Sequence, residues 1–316
     1  MVMKLNLMDN MKRYNSIDRY YKYKYGKKVA KISLNGDFSC PNKDGKKGYG
    51  GCIFCSSMGS GDFAGDKTLD ILTQFETIKS VIDKKWPDSL YMPYLQANSN
   101  TYGTVEKLKS VYEPLTTLKD IVGISIATRA DCFNEEIYNY LESLHKRIPL
   151  QIELGLQTIH EHTAKLINRG TTLLEFESCI KRLRSLGIEI VVHIINGLPY
   201  ETKEEMLETI NYINTLDIQG VKIHSLLVLK NTKLAKLYEE EKFEILSLED
   251  YVDITVSQIE LLRSDIIIHR VGADSSMEDL IAPLWTRKKL VVMNEIDKLL
   301  RKKDSYQGVH YSGQLK

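Results

Sequence analysis

The chain has 316 residues, 43% hydrophobic and 27% charged, enough to bury a large core as one elaborated barrel or as two ordinary domains. No apolar run approaches the ~20 residues of a membrane span, and the start, MVMKLNLMDNMKRYNS, lacks the apolar core and cleavage site of a secretory signal. The expectation is a cytoplasmic protein with no membrane contact, its thiols reduced. The net charge of +1 conceals a gradient, with 12 Lys+Arg against 4 Asp+Glu in residues 1–50 and 8 against 3 in residues 286–316.

The first segment, RYNSIDRYYKYKYGKKVAK, interleaves Tyr14, Tyr20, Tyr21, Tyr23 and Tyr25 with Arg and Lys. Cations that neutralise phosphates beside rings that stack on bases are what RNA binding requires. The same pattern also describes a solvated face whose tyrosines pack on the body of the protein. From residue 29 onward, apolar β-branched runs alternate with amphipathic stretches. Strands are expected at 29–35, 89–97, 121–128, 149–157, 188–196, 221–229 and 265–271, and helices near 68–85, 104–118, 134–145, 160–168, 173–186, 202–215 and 249–263. Thr158 with Glu161, and Thr202 with Glu205, have capping-box spacing, and Gly187 stands where a helix-terminating glycine belongs.

This alternation predicts an α/β fold with a parallel sheet covered by helices. Polar residues crowd at the C-terminal ends of the strands: Gln96, Asn98 and Asn100, then Thr128 and Arg129, then Gln157, then Asn196. A barrel gathers all its strand ends round one mouth, so a partial TIM-like barrel is favoured over an open sheet. The expected organisation is a basic Tyr-rich extension at 1–28, a barrel at 29–265, and a C-terminal strand with a basic helix at 266–316.

Three of the five cysteines lie in CPNKDGKKGYGGCIFC, residues 40–55. A disulfide would pair two and strand the third in a reducing compartment. A structural zinc site wants four ligands, and no histidine precedes His145. A redox C-x-x-C normally opens a helix, whereas glycines here make a loop. The fourth reading is a cubane 4Fe-4S cluster on Cys40, Cys52 and Cys55, whose fourth iron is left without a protein ligand.

This loop, with YLQANSNTYG, IATRADC, ELGLQTIHEHTAKLINRG, HIINGLPYET, FEILSLEDYV, IAPLW and YQG further on, resembles the radical S-adenosylmethionine (radical SAM) enzymes. It is most similar to a bacterial subfamily related to the Elongator catalytic subunit and the oxygen-independent coproporphyrinogen oxidases. The resemblance implies a partial (β/α)6 barrel, a 4Fe-4S cluster, S-adenosylmethionine, and a 5′-deoxyadenosyl radical that abstracts hydrogen from the substrate. The first two cysteines depart from the usual spacing, with eleven residues between them, so a glycine-rich turn must bring Cys40 back.

The resemblance also implies residue roles. Gln96 and Asn98, with Asn100, end the second strand where relatives place a glycine-rich segment that meets the methionyl amine. A glutamate common in relatives is replaced by Ala127, which shifts amine recognition towards Ser125 or Thr128. Gln157 and Arg169 match the residues used for the ribose hydroxyls and the methionyl carboxylate, although Arg169 also suits a helix C-terminus. Glu153, on the face of Gln157, is either a ribose ligand or the buried partner of a barrel lysine. His193 either lies near the ribose or is a satisfied core histidine. Cys132 and Cys179 read as ordinary buried thiols. The implied substrate is tRNA, through conversion of a wobble-uridine carboxymethylaminomethyl group to aminomethyl, with flavodoxin or ferredoxin as low-potential electron donor. The alternatives are a radical enzyme with a small-molecule or protein substrate, and a metal-stabilised RNA-binding module without catalysis.

Overall fold

The structure, a computed structural model, describes residues 12–56, 59, 61 and 63–313. Seven strands, β1 (Val29–Leu34), β2 (Leu90–Leu95), β3 (Ile124–Thr128), β4 (Leu150–Gln157), β5 (Glu189–Asn196), β6 (Gly220–Ser225) and, after the short β7 (Val228–Leu229), β8 (Ile267–Val271), form one parallel sheet. Its order is β1-β2-β3-β4-β5-β6-β8, so each strand lies beside its predecessor and the sheet curls into a half-barrel. The apolar run expected as one strand at 221–229 divides: β6 ends at Ser225, and β7 turns away to pair antiparallel with β9 (Leu280–Ala282). The strand expected in a C-terminal extension is β8, the seventh strand of the main sheet.

The helices are α1 (Ile17–Tyr25), α2 (Ile71–Lys85), α3 (Val105–Leu115), α4 (Glu135–His145), α5 (Glu161–Leu166), α6 (Leu173–Ser185), α7 (Lys203–Thr215), α8 (Lys233–Glu239), α9 (Leu248–Leu261) and α10 (Lys289–Lys302). Thr202 and Glu205 form the expected capping box on α7, and Thr172 and Glu175 form another on α6. Thr158 and Glu161 do not form one: the Thr158 hydroxyl accepts from His160 N–H at 3.0 Å, and α5 begins after His160. Gly187 has φ +79°, the left-handed conformation that ends a helix. The main core fills the space between helices and sheet with fully buried residues such as Ile32, Leu95, Ile126, Leu154 and Val192. Among the described residues, no helix is long and apolar enough to cross a membrane.

The tyrosine-rich segment belongs to this core. Asn15 C=O accepts from Ile268 N–H at 2.8 Å, Ser16 bridges to Ile268, and α1 packs on both β8 and β1, the two edges of the half-barrel. Tyr14 and Tyr21 are buried, and the Tyr21 hydroxyl meets Met92 Sδ at 3.3 Å. Those two rings pack on the body of the protein, while Tyr23 stays 59% exposed.

Candidate active site

The cysteine loop leaves the C-terminal end of β1 and wraps by backbone hydrogen bonding. Lys43 N–H donates to Cys40 C=O at 2.8 Å, and Lys47 and Gly48 N–H both return to Pro41 C=O. Asp44 and Tyr49 bridge as a small hairpin. The extra residues between Cys40 and Cys52 are therefore folded off to one side. Asn42 closes the wrap: its C=O accepts from Gly51 N–H at 2.8 Å, and its Nδ2 reaches Asn168 C=O at 2.5 Å and Cys52 Sγ at 3.7 Å. Cys55 N–H donates to Cys52 C=O at 3.1 Å, closing the C-x-x-C turn. Between the two, Ile53 is buried in a second core with Ile167, Leu198, Leu226 and Leu234, and exchanges backbone hydrogen bonds with Ile167 and Leu234.

Cys40, Cys52 and Cys55 line one cavity of about 290 Å³ with Gln96, Asn98, Thr128, Glu153, Gln157, Arg169 and His193. All the residues predicted from the sequence except Ser125 and Asn100 thus share one cavity. Ser125 is fully buried below it and donates to Glu153 Oε1 at 2.8 Å, which removes it as an amine ligand. Asn100 is fully buried too, its Nδ2 held by Ala97 and Ala127 carbonyls. Thr128 bonds Thr101 hydroxyl to hydroxyl at 2.6 Å. Asn98, at φ +58°, clasps the cysteine loop to β2: Oδ1 accepts from Lys43 Nζ at 3.1 Å and Nδ2 donates to Phe38 C=O at 3.0 Å. Gly59 must lack a side chain here, because a Cβ would lie 1.9 Å from Asn98 Oδ1.

β4 ends in a bulge at Gly155/Gln157, with Gln157 at φ +67°. The bulge turns the Gln157 amide over Gly155, where a Cβ would come within 2.7 Å of its Nε2. Arg169 is 3% exposed; its Nε and one amino group bond the carbonyls of Thr171, Leu156 and Thr158. Its other amino group is buried without an acceptor among the described residues. A residue serving only to complement a helix end would not bury an unsatisfied donor, since that costs about 1–3 kcal/mol.

The cavity floor is an ionic network invisible to motif reading. Glu153 Oε1 accepts from Lys31 and Ser125, and Oε2 from Lys222 and His193, the last at 2.7 Å. Burial disfavours the Glu153 carboxylate, but Lys222 and Lys31, with His193, outweigh it and hold its pKa well below the usual range. With both oxygens occupied, Glu153 is the lysine partner of the two readings, not a free ribose ligand. Burial pushes Lys222 down to about 7 despite Glu153, and burial with Lys222 pushes His193 down to about 4. The Tyr94 hydroxyl accepts from Lys222 Nζ at 3.2 Å. Arg129 pairs with Asp131 through two bonds at 2.9 and 2.8 Å and donates to Arg169 C=O at 2.8 Å. Its positive charge also acts on Cys40 and Cys52. Lys31 and Lys222 left one readable signal: lone cations at inward positions of otherwise apolar strands.

Residues 49–213 match the radical SAM superfamily, and residues 218–302 match the radical SAM C-terminal domain. The chain belongs to the radical SAM superfamily. The superfamily match begins after Cys40, in keeping with the unusual first interval. The uncharacterized protein YtqA of Bacillus subtilis (strain 168) is 45% identical over 94% of this chain and 92% of its own length. Elongator complex protein 3 of Saccharomyces cerevisiae is 27% identical over 51% of this chain, which spans only 29% of that protein. In structure, the archaeal Methanocaldococcus infernus Elp3 with an N-terminal deletion superposes with a TM-score of 0.67 at 17% identity, covering 88% of this chain and 64% of its own. That likeness fixes the half-barrel fold.

Radical SAM proteins generally bind a 4Fe-4S cluster and S-adenosylmethionine. The residues present fit both groups. Three thiols line one cavity, one fewer than the four irons of a 4Fe-4S cluster. The buried unpaired amino group of Arg169 matches an anionic ligand group such as a carboxylate.

Proposed function

We propose that this chain is a radical SAM enzyme that modifies tRNA, remodelling the wobble-uridine carboxymethylaminomethyl group towards aminomethyl. The observation that carries the enzyme part is the meeting of Cys40, Cys52 and Cys55 with Gln157 and the orphaned Arg169 donor in one cavity. The substrate rests on the resemblance of the cysteine loop and on the partial similarity to Elongator complex protein 3.

The three cysteines would hold the cluster, with Arg129 offsetting its negative charge. When bound, the cluster and S-adenosylmethionine together supply one-electron cleavage that ends in hydrogen-atom abstraction from the substrate. Arg169 offers its free amino group to the methionyl carboxylate, and Gln157 offers its amide to the ribose. Gln96 and Thr128 line the same cavity as the cysteines and are the residues offered to the methionyl amine. Asn98 positions the cysteine loop. The Glu153 network fixes the floor, so that the cavity is pre-shaped rather than assembled on binding. The reading also calls for a low-potential donor, flavodoxin or ferredoxin.

The test is anaerobic reconstitution with iron and sulfide, followed by S-adenosylmethionine, reductant and undermodified tRNA, with nucleosides analysed by mass. The expected outcome is a brown protein with about four irons per chain and a nucleoside lighter by its carboxymethyl group. Cofactor cleavage with unchanged tRNA would move the substrate to a small molecule or protein. A colourless zinc protein would remove catalysis altogether.

A further inference from the structure

The two basic ends of the chain meet in space. Along β8, on the side where Asn15 and Ser16 bond Ile268, α1 and the start of α10 wall a groove of about 1120 Å³, separate from the thiol-lined cavity but sharing Arg270 and Ala273 with it. Its floor is apolar, with Ile268, Val271 and Met293, and its rim is cationic. Lys12, Arg19, Lys22 and Lys28 come from the first segment, and Lys85, Arg270 and Lys289 from the facing elements. Among the described residues, three carboxylates pair with this rim: Asp18 with Lys22 and Lys28, Asp274 with Arg270 and Lys289, and Asp297 with Lys12. With Arg19 set aside, six cations stand against these three carboxylates, so the rim is positive. Trp86, 37% exposed, lies between Lys28 and Lys85, whose Nζ atoms are 4.4 and 4.6 Å from its ring centre, and Tyr23 stands exposed nearby.

We infer that this groove binds a single-stranded stretch of RNA and leads it to the cavity. An apolar floor under a cationic rim that carries exposed rings matches unpaired nucleotides, with bases against the rings and phosphates on the cations. An acidic protein would find the same charge but make no use of the apolar floor and the exposed rings. Arg270, bordering both spaces, marks where the strand would deliver a nucleotide. The inference rests on the tRNA reading and adds the surface that holds the RNA.

The test compares two charge-reversed variants of equal net charge by filter binding of an unmodified tRNA transcript across a salt series. Lys22→Glu with Lys289→Glu alters exposed groove positions, while Lys165→Glu with Lys181→Glu alters exposed positions on α5 and α6. The groove pair should weaken binding at least about tenfold and make the log–log salt slope shallower by about 1.4, as for two lost phosphate contacts on a single strand. The control pair should change neither. Trp86→Ala should weaken binding by about fivefold or more without altering the slope. Equal losses in both pairs, or intact RNA affinity in the groove pair, would overturn the groove assignment. That second result, with loss of flavodoxin binding instead, would reassign the groove to an acidic protein. Wild-type binding with an indifferent groove sinks only the groove, whereas a wild-type protein that binds no tRNA sinks the RNA reading itself.

Discussion

His193 illustrates how a single position was half legible. Its place on β5 showed that it faces the barrel, but its role depends on Glu153, forty residues away in sequence and 2.7 Å away in space. Lys31, Lys222 and Ser125 converge on the same carboxylate from three further strands, and His224 lies 5.2 Å from His193 between ring centres. Such long-range charge pairing has no local signature, which is why Glu153 stayed open between a ribose ligand and a lysine partner, and why the resemblance offered Ser125 as an amine ligand. The network makes a pH prediction. The folded His193 titrates at about 4, below its ordinary 6.5, so between these values the unfolded chain holds a proton that the native one refuses. Stability therefore falls as pH drops through that window, by up to about 3 kcal/mol. Glu153, depressed below its ordinary 4.5, adds its own loss further down. His193→Gln keeps a hydrogen-bond donor without the titration, so urea unfolding across pH 4.5–6.5 should show a flatter dependence than the wild type. An unchanged slope would contradict the buried, neutral assignment.

At the scale of elements, the sheet was readable because period and chemistry agree: β-branched apolar runs, helices between them, and polar residues confined to strand ends. The cysteine loop was readable as a cluster loop but not as a shape. Its wrap depends on Asn42 reaching both Asn168 and Cys52, and on Ile53 packing into a second core whose other members run from Ile167 to Ala282. The alternating pattern of a strand or helix announces burial; a single isoleucine between two cysteines does not. Ile53→Ala should lower unfolding free energy by about 2 kcal/mol or more, measured by urea. It should also lower the iron retained after reconstitution, although all three cysteines remain. Full iron content in a destabilised variant would show that the second core does not hold the C-x-x-C turn.

Over the whole molecule, the N-terminal segment changes meaning. Composition left residues 1–28 open between an RNA-binding extension and a solvated face whose tyrosines pack on the body of the protein. In the fold, α1 packs against both edges of the half-barrel, with Tyr14 and Tyr21 buried. A chain starting at Gly26 should lose soluble, cooperatively folded protein rather than RNA affinity alone, as circular dichroism and thermal melting would show. A truncated protein with native melting behaviour would restore the appended-arm reading. The charge gradient was legible, whereas the tyrosines stayed ambiguous, because aromatic residues serve stacking and core packing equally well.

The central claim is that three cysteines hold a cluster with one iron open to a ligand. Electron paramagnetic resonance of the anaerobically reconstituted, dithionite-reduced protein, with and without S-adenosylmethionine, tests it most directly. The expected result is a 4Fe-4S signal that changes when S-adenosylmethionine is added and that is lost in Cys40→Ala as fully as in Cys52→Ala or Cys55→Ala. A signal indifferent to S-adenosylmethionine, or one that survives without Cys40, would contradict it.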